Sequence, residues 1–361
     1  VERTIIVFVA WRDLRAARGR FALIAGVVAL ITVLVGFLTG LTGGLAAQNV
    51  SAVLGLDATR IVTAAGAQSF ADSSLTDTQT AEWTSRAAPA QVSPLGISQL
   101  RAAHGATSTG VALFGGPSTL DPAVPTADGT VSLSAPAAAA LGAAVGDPVE
   151  IAGATYTVAA ITPDAWYSHT PVVWTTLADW QQISRTVGSG GSAATALIVR
   201  GDADAAIDSA EIDTATGTQS AGPLQALPQI GAFRSEIGSL GLIIGLLLAI
   251  SALVVGAFFV VWGMQRRGDV AILKALGAST GSLRRDSIGQ AAVVLALGVG
   301  VGTAVVAAVG SAMPAAVPFL LTPLTIFGPA ALLVVLGLIG AAVALRPVTA
   351  ADPLTALGSN R

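Results

Sequence analysis

The sequence contains no cysteine. That excludes a disulfide framework, thiolate metal sites and a cysteine nucleophile. Histidine is nearly absent too, with only His104 and His169. No H-E-x-x-H, G-x-S-x-G or G-x-x-x-x-G-K-[ST] pattern occurs, so a zinc-protease helix, a hydrolase elbow and a phosphate-cradling loop are all missing. Charge is scarce. Charged residues make up 11% of the 361, against roughly 25% in an ordinary soluble domain. The net charge of −3 leaves no footprint for nucleic acid.

What fills the chain instead is apolar. Hydrophobic residues reach 53%. Four runs carry no charge: 21–45, 238–264, 288–313 and 326–345. Each matches the roughly 18–20 residues a transmembrane helix needs. The first run is longer than a signal-peptide core of about 7–15 residues, so it is expected to stay as a helix. Between the first and second runs lies a long segment, 46–237. The expected fold is therefore an α-helical membrane protein with four transmembrane helices and an α/β extracytoplasmic domain inserted between the first and second.

Orientation follows from the cations. Residues 1–20 and 265–287 each carry 5 cations and 2 acids, and the tail 346–361 carries 2 and 1. Residues 46–237 carry 6 cations and 16 acids, and the loop 314–325 carries no charge. The positive-inside rule puts both termini and the 265–287 loop in the cytoplasm and the acidic segment outside a plasma membrane. Residues 5–18 have the spacing of an interfacial helix, and a plain positive anchor is the other reading.

Within 46–237, β-branched runs bounded by Gly, Pro and Asp predict strands at 61–63, 111–114, 131–133, 148–151, 156–161, 172–175 and 196–199. Helices are expected at 77–85, 135–141, 177–185 and 203–212. The face 179–185 reads as solvated. Segments 46–56 and 224–236 extend the flanking membrane helices outward as a stalk, with Pro228 breaking the second. Gly36, Gly40 and Gly44 repeat at four-residue spacing, as do Gly241–Gly245 and Gly298–Gly302. Small residues at that spacing let helices approach closely in lipid, and a contact between two copies through the first helix is one reading.

The stretch QRRGDVAILKALGAS, residues 265–279, sits between two apolar runs. Ile272, Leu273 and Leu276 share a helical face, and Gly277 suits a helix end. A short amphipathic cytoplasmic helix results, whose apolar face needs a cover. The cover is either lipid headgroups or a protein. This loop, with its order of spans, resembles the MacB/FtsX-type permeases of ABC transporters. Their loop runs close to R-x-x-E-I-x-x-L-x-A-x-G-A-S/T, and Arg266, Asp269, Val270, Leu273, Ala275, Gly277, Ala278 and Ser279 fit it, with Asp for the usual Glu. The stretch 141–161 resembles the family's outer domain.

The resemblance implies a transport permease and no enzyme. Arg266, Asp269, Ile272, Leu273, Lys274, Leu276 and Gly277 would couple to a separate ATPase, present in two copies and carrying ATP-Mg. A second copy of the chain completes the assembly in the bilayer, with no intrinsic cofactor and no nucleic acid. The short four-span layout is closest to the Gram-positive haem-exporting (HrtB-type) branch, which makes haem a possible transported substrate. Phe233, Arg234 and Glu236, at the outer mouth of the second span, are then the candidate substrate-binding residues. A Glu in the first helical turn also simply complements the helix dipole. His169 and Met313 are the weaker candidates for haem iron, and no resident metal is assigned. The other function the resemblance allows is an FtsX-like transmitter of motion that switches a cell-wall hydrolase without transport.

Overall fold

The computed structural model describes residues 18–188, 192–201, 208–265, 279–314 and 317–349. It divides into two compact units, one of residues 45–238 and one formed by residues up to 44 together with those from 239 onward.

In chain order, the long helix α1 (Arg18–Leu54) is followed by β1 (Arg60–Ala64), α2 (Asp77–Arg86), β2 (Gln91–His104) and β3 (Thr107–Gly116). Then come β4 (Thr130–Ser134), α3 (Ala135–Leu141), β5 (Pro148–Ile151), β6 (Ala154–Thr162), β7 (Trp166–Tyr167) and β8 (Thr170–Thr176). The α/β unit closes with α4 (Leu177–Thr186), β9 (Ala196–Arg200), α5 (Ser209–Thr216), β10 (Thr218–Ala221) and α6 (Pro223–Ala226). Among the described residues, three long helices remain: α7 (Gly231–Gln265), α8 (Thr280–Ser311) and α9 (Pro323–Thr349).

The α/β unit is organised by β2, which is long enough to serve two sheets. Its residues 91–95 pair with β9, continuing the order β10-β1-β9-β2. Its residues 96–104 pair with β3. From there the order β3-β8-β4-β6-β5 returns to β2 at Ala102↔Ile151, so six strands close on themselves. The β3–β8 and β4–β6 pairs are parallel. Alternation lets single strands feed two cores. On β3, Val111 and Leu113 join the interior of the closed strands, while Ala112 and Phe114 join the core beneath the end of α1. On β8, Val173 goes one way and Val172 and Trp174 the other. That explains why these strands read as unbroken apolar runs.

The local chemistry explains the helices. Thr76 and Gln79 form a reciprocal capping box before α2, with Gln79 N–H to Thr76 Oγ1 at 3.2 Å and Thr76 N–H to Gln79 Oε1 at 2.9 Å. Asp208 caps α5 through Glu211 N–H at 3.0 Å. The described helix starts at Ser209, inside the expected 203–212; residues 202–207 lie outside the described ones. Pro228 does break the approach to α7. A 3₁₀ turn, Leu227–Gln229, separates α6 from α7. Asp179 corrects the solvated-face expectation. It is buried, and its Oδ2 accepts Gly129 N–H at 2.8 Å.

Among the described residues, four helices are long and apolar enough to cross a membrane: Phe21–Leu54, Gly231–Phe258, Ser287–Ser311 and Pro323–Val343. In the helical unit, Phe21, Ile24, Val28 and Val35 of α1 pack with residues of α7, α8 and α9. The glycine stripe of α1 is occupied within the chain. A Cβ on Gly36 would meet Val306 at 2.8 Å, one on Gly40 would meet the Phe319 ring at 2.3 Å, and one on Gly44 would meet Pro318 O at 2.0 Å. Gly298 and Gly302 take the α1 backbone at Ala25 and Ala29. The stripe is thus an intrachain packing surface, which removes the reading of it as a contact between copies. Gly241 and Gly245 face open space. Large apolar side chains on all four helices point outward, among them Leu30, Leu242, Leu253, Leu297 and Leu324.

Candidate functional site

Two helices enter the α/β unit, and both are anchored in one core. Val50, Val53 and Leu56, at and just beyond the end of α1, are buried there with Leu227 and Ile230, which lead into α7. Phe233 packs against the same cluster. Asn49 is fully buried on α1, and Glu236 lies in the second turn of α7.

A hairpin turn comes between them. Strands β7 and β8 pair Tyr167 with Thr170, leaving a two-residue loop of Ser168 and His169. Both residues have positive φ, 49° and 62°. This is the geometry of a type I′ turn, which normally selects Asn or Gly. A left-handed conformation costs a non-glycine residue about 1–2 kcal/mol. The turn is held by α1: Ser168 N–H donates to Asn49 O and His169 N–H to Gln48 O, each at 3.0 Å. Neighbouring Tyr167 stacks edge-on against Phe70 and Phe114, and burial pushes its phenol pKa up.

The turn aims the imidazole at Glu236. His169 Nε2 lies 2.7 Å from Glu236 Oε1, and each side chain is 32% exposed. Asn49 Nδ2 donates to Glu236 Oε2 at 3.0 Å and to Leu45 O at 3.1 Å. With the Nε2 hydrogen directed at Glu236, the 3.1 Å approach of Asn49 Nδ2 to that nitrogen is a packing contact. Asn49 Oδ1 is buried without a partner among the described residues. A carboxylate, an imidazole and a buried amide thus converge at the head of α7. Strained turn residues tend to cluster at functional sites.

Phe233 and Glu236 share a face of α7, but Arg234 is set about 200° away from Glu236 at roughly 100° per residue. Arg234 is exposed. One copy therefore does not bring its guanidinium to the carboxylate. His104 ends β2, with Nδ1 2.8 Å from Pro148 O and Nε2 3.7 Å from Asp147. Met313 follows α8 in the helical unit. Arg266, Asp269, Ile272, Leu273, Lys274, Leu276 and Gly277 lie outside the described residues. Among the described residues, no group of three or more His, Cys, Asp and Glu is placed to hold a metal. Asn49 was not anticipated from the sequence. A polar pair, Gln48–Asn49, in an otherwise apolar helix was the available sign.

Known proteins resemble this chain in part. Residues 241–353 match the family described as FtsX-like permease C-terminal. A protein of Staphylococcus epidermidis, provisionally named hemin transport system permease protein HrtB, is 26% identical over 217 residues. That alignment covers 60% of this chain, and the chain spans only 59% of that relative's length. The similarly named protein of Staphylococcus haemolyticus is 22% identical over 356 residues, covering 97% of this chain and 98% of its own. A crystal structure of the periplasmic region of MacB from Actinobacillus actinomycetemcomitans aligns with 49% of this chain and 94% of its own, at 13% identity and a TM-score of 0.37. The chain is a multi-pass membrane protein by its apolar helices, and its residues 241–353 carry the FtsX-like permease C-terminal domain. Its relatives include the HrtB proteins.

Proposed function

We propose that this chain is the permease subunit of an ABC-type efflux system and that its cargo is an amphiphile, with haem the leading case. The observation that carries the cargo reading is the His169–Glu236 pair at the head of α7, beside apolar Phe233. Haem combines an apolar face with two carboxylates and an iron that takes nitrogen and oxygen ligands. The pair offers both ligand types, and Arg234 of a second copy would meet the propionates. The names of the staphylococcal relatives point the same way.

Energy would come from two copies of a separate ATPase docked on the 265–287 loop, since the chain has no phosphate-binding loop of its own. Both termini would lie in the cytoplasm and the α/β unit outside. ATP-driven movement of the loop would be carried by the packed helices to α1 and α7, whose outer ends hold Asn49 and Glu236.

Absorbance titration of the purified permease with haem tests the cargo. A Soret shift in the micromolar range is expected for wild type and is expected to weaken at least tenfold in Glu236→Ala or His169→Ala. A wild type without a shift, or both variants titrating as wild type, overturns the assignment.

A further inference from the structure

Strand β2 changes partners midway, and the change leaves part of its edge open. Its even-numbered residues from Gly96 to His104 face β3, as the tight turn pairing His104 with Thr107 requires. Its odd-numbered residues face the opposite edge. There Leu95 O accepts Thr195 N–H at 3.0 Å, and Ile97 N–H is taken by Thr195 Oγ1 at 3.0 Å. Further along, Ala103 pairs with Glu150 of β5 on that same edge.

Between these two pairings, Ile97 C=O, Gln99 N–H, Gln99 C=O and Arg101 N–H have no partner among the described residues. The cause is the chain entering β9. Before Thr195 it swings away to Leu75, with Leu75 N–H to Ala194 O at 2.9 Å and Ala193 N–H to Leu75 O at 2.8 Å.

The opening is a cavity of about 350 Å3. Ile97 to Leu100 form one wall, Asp72 and its neighbours another, and Trp180 and Ser184 of α4 a third. Trp180 is fixed by Nε1 donating to Ser98 Oγ at 3.0 Å and lies over Gly96 and Gly115, where no side chain would fit. Ser184 is 1% exposed, and its Oγ is buried with no partner among the described residues.

We propose that this gap is a docking site for an extended polypeptide segment of a partner protein, which adds to β2 as a short strand between β9 and β5. The chemistry specifies main chain. Alternating C=O, N–H, C=O and N–H groups along one line match the ladder of a β-strand, the recognition used when a peptide completes an exposed sheet. With 16 acids against 6 cations in residues 46–237, an uncharged or basic segment is favoured over an acidic one. The inference is independent of the cargo.

Single-amide hydrogen exchange of the full-length permease in detergent tests it. The probe is an acetylated, amidated six-residue peptide of alternating threonine and valine with a lysine added at its end. In the free protein, the Gln99 and Arg101 amides are expected to exchange far faster than those of Ser98 and Leu100. Millimolar peptide is expected to slow both at least tenfold, and a fully N-methylated analogue to slow neither. Gln99→Pro removes a gap-facing N–H while sparing the ladder to β3. It is expected to abolish peptide protection at Arg101 and to leave the thermal midpoint unchanged. Slow exchange at Gln99 and Arg101 in the free protein would mean that the edge is already covered, and would overturn the proposal. So would unchanged exchange with peptide, or equal protection by the N-methylated analogue, which would indicate a small-solute site. If Gln99→Pro fails to fold, the wild-type comparison decides alone.

Discussion

His169 and Glu236 are separated by 67 residues of sequence, yet Nε2 and Oε1 lie 2.7 Å apart. One comes from a strained hairpin turn and the other from the start of a long apolar helix. The buried amide of Asn49 holds the carboxylate from the other side at 3.0 Å. The candidate site is therefore a junction where the end of α1, the start of α7 and the β7–β8 turn are tied together.

Asn49 is the concealed member of this junction. Asn49→Ala removes donors to Leu45 O and Glu236 from a fully buried position. A loss of roughly 1–3 kcal/mol is expected. Denaturant unfolding followed by tryptophan fluorescence measures it. His169→Ala breaks a half-exposed pair and is expected to cost less, about 1 kcal/mol or below.

The glycine stripe of α1 separates two accounts of that surface. Gly44→Ala places a Cβ against the Pro318 carbonyl and is expected to destabilise the protein by about 1–3 kcal/mol or more. Gly241→Ala, with nothing within 4 Å, is expected to be neutral or slightly stabilising. Thermal unfolding in detergent distinguishes them. A Gly44→Ala protein of normal stability that had lost self-association would restore the reading of the stripe as a contact between copies.

The two tyrosines report on alkaline stability. Tyr167 has its phenol pKa raised by burial, and Tyr156 has its own raised by burial first and by the Asp179 carboxylate second. Unfolded tyrosine titrates near 10. A folded pKa above the unfolded value favours the folded state fully below about pH 10, and that contribution is lost as pH rises further. Phenolate absorbance is expected to appear only above the ordinary range and together with unfolding. Two phenolates titrating near 10 in the folded protein would contradict this.

The 265–287 loop carries the coupling part of the proposal. Leu273→Asp puts a charge on the apolar face expected for the 265–279 stretch. The permease is expected to insert normally and to lose co-purification with its ATPase. Undiminished co-purification would remove the docking role from this face.

Much of the α/β unit was legible because its strands are apolar on both sides. Runs such as 172–175 and 196–199 serve two cores at once, so they stand out without alternation. Strand β2 did not stand out. Pro94, Gly96, Gln99 and Arg101 interrupt it, and its edge is only partly paired. The polar β10, Thr218–Ala221, was missed because it lies at the end of the sheet. Glu236 was visible as an acid beside an apolar run, and His169 as an isolated imidazole among aromatics. Their pairing was not legible, because a hairpin turn with two positive φ values creates it and neither Ser168 nor His169 is a usual residue there.

The most direct measurement is ATP hydrolysis by the permease reconstituted in lipid with its ATPase, with and without haem. The account predicts that haem stimulates hydrolysis and that Glu236→Ala abolishes the stimulation while basal turnover persists. Hydrolysis that is coupled to the permease but indifferent to haem would contradict the cargo assignment at the His169–Glu236 junction.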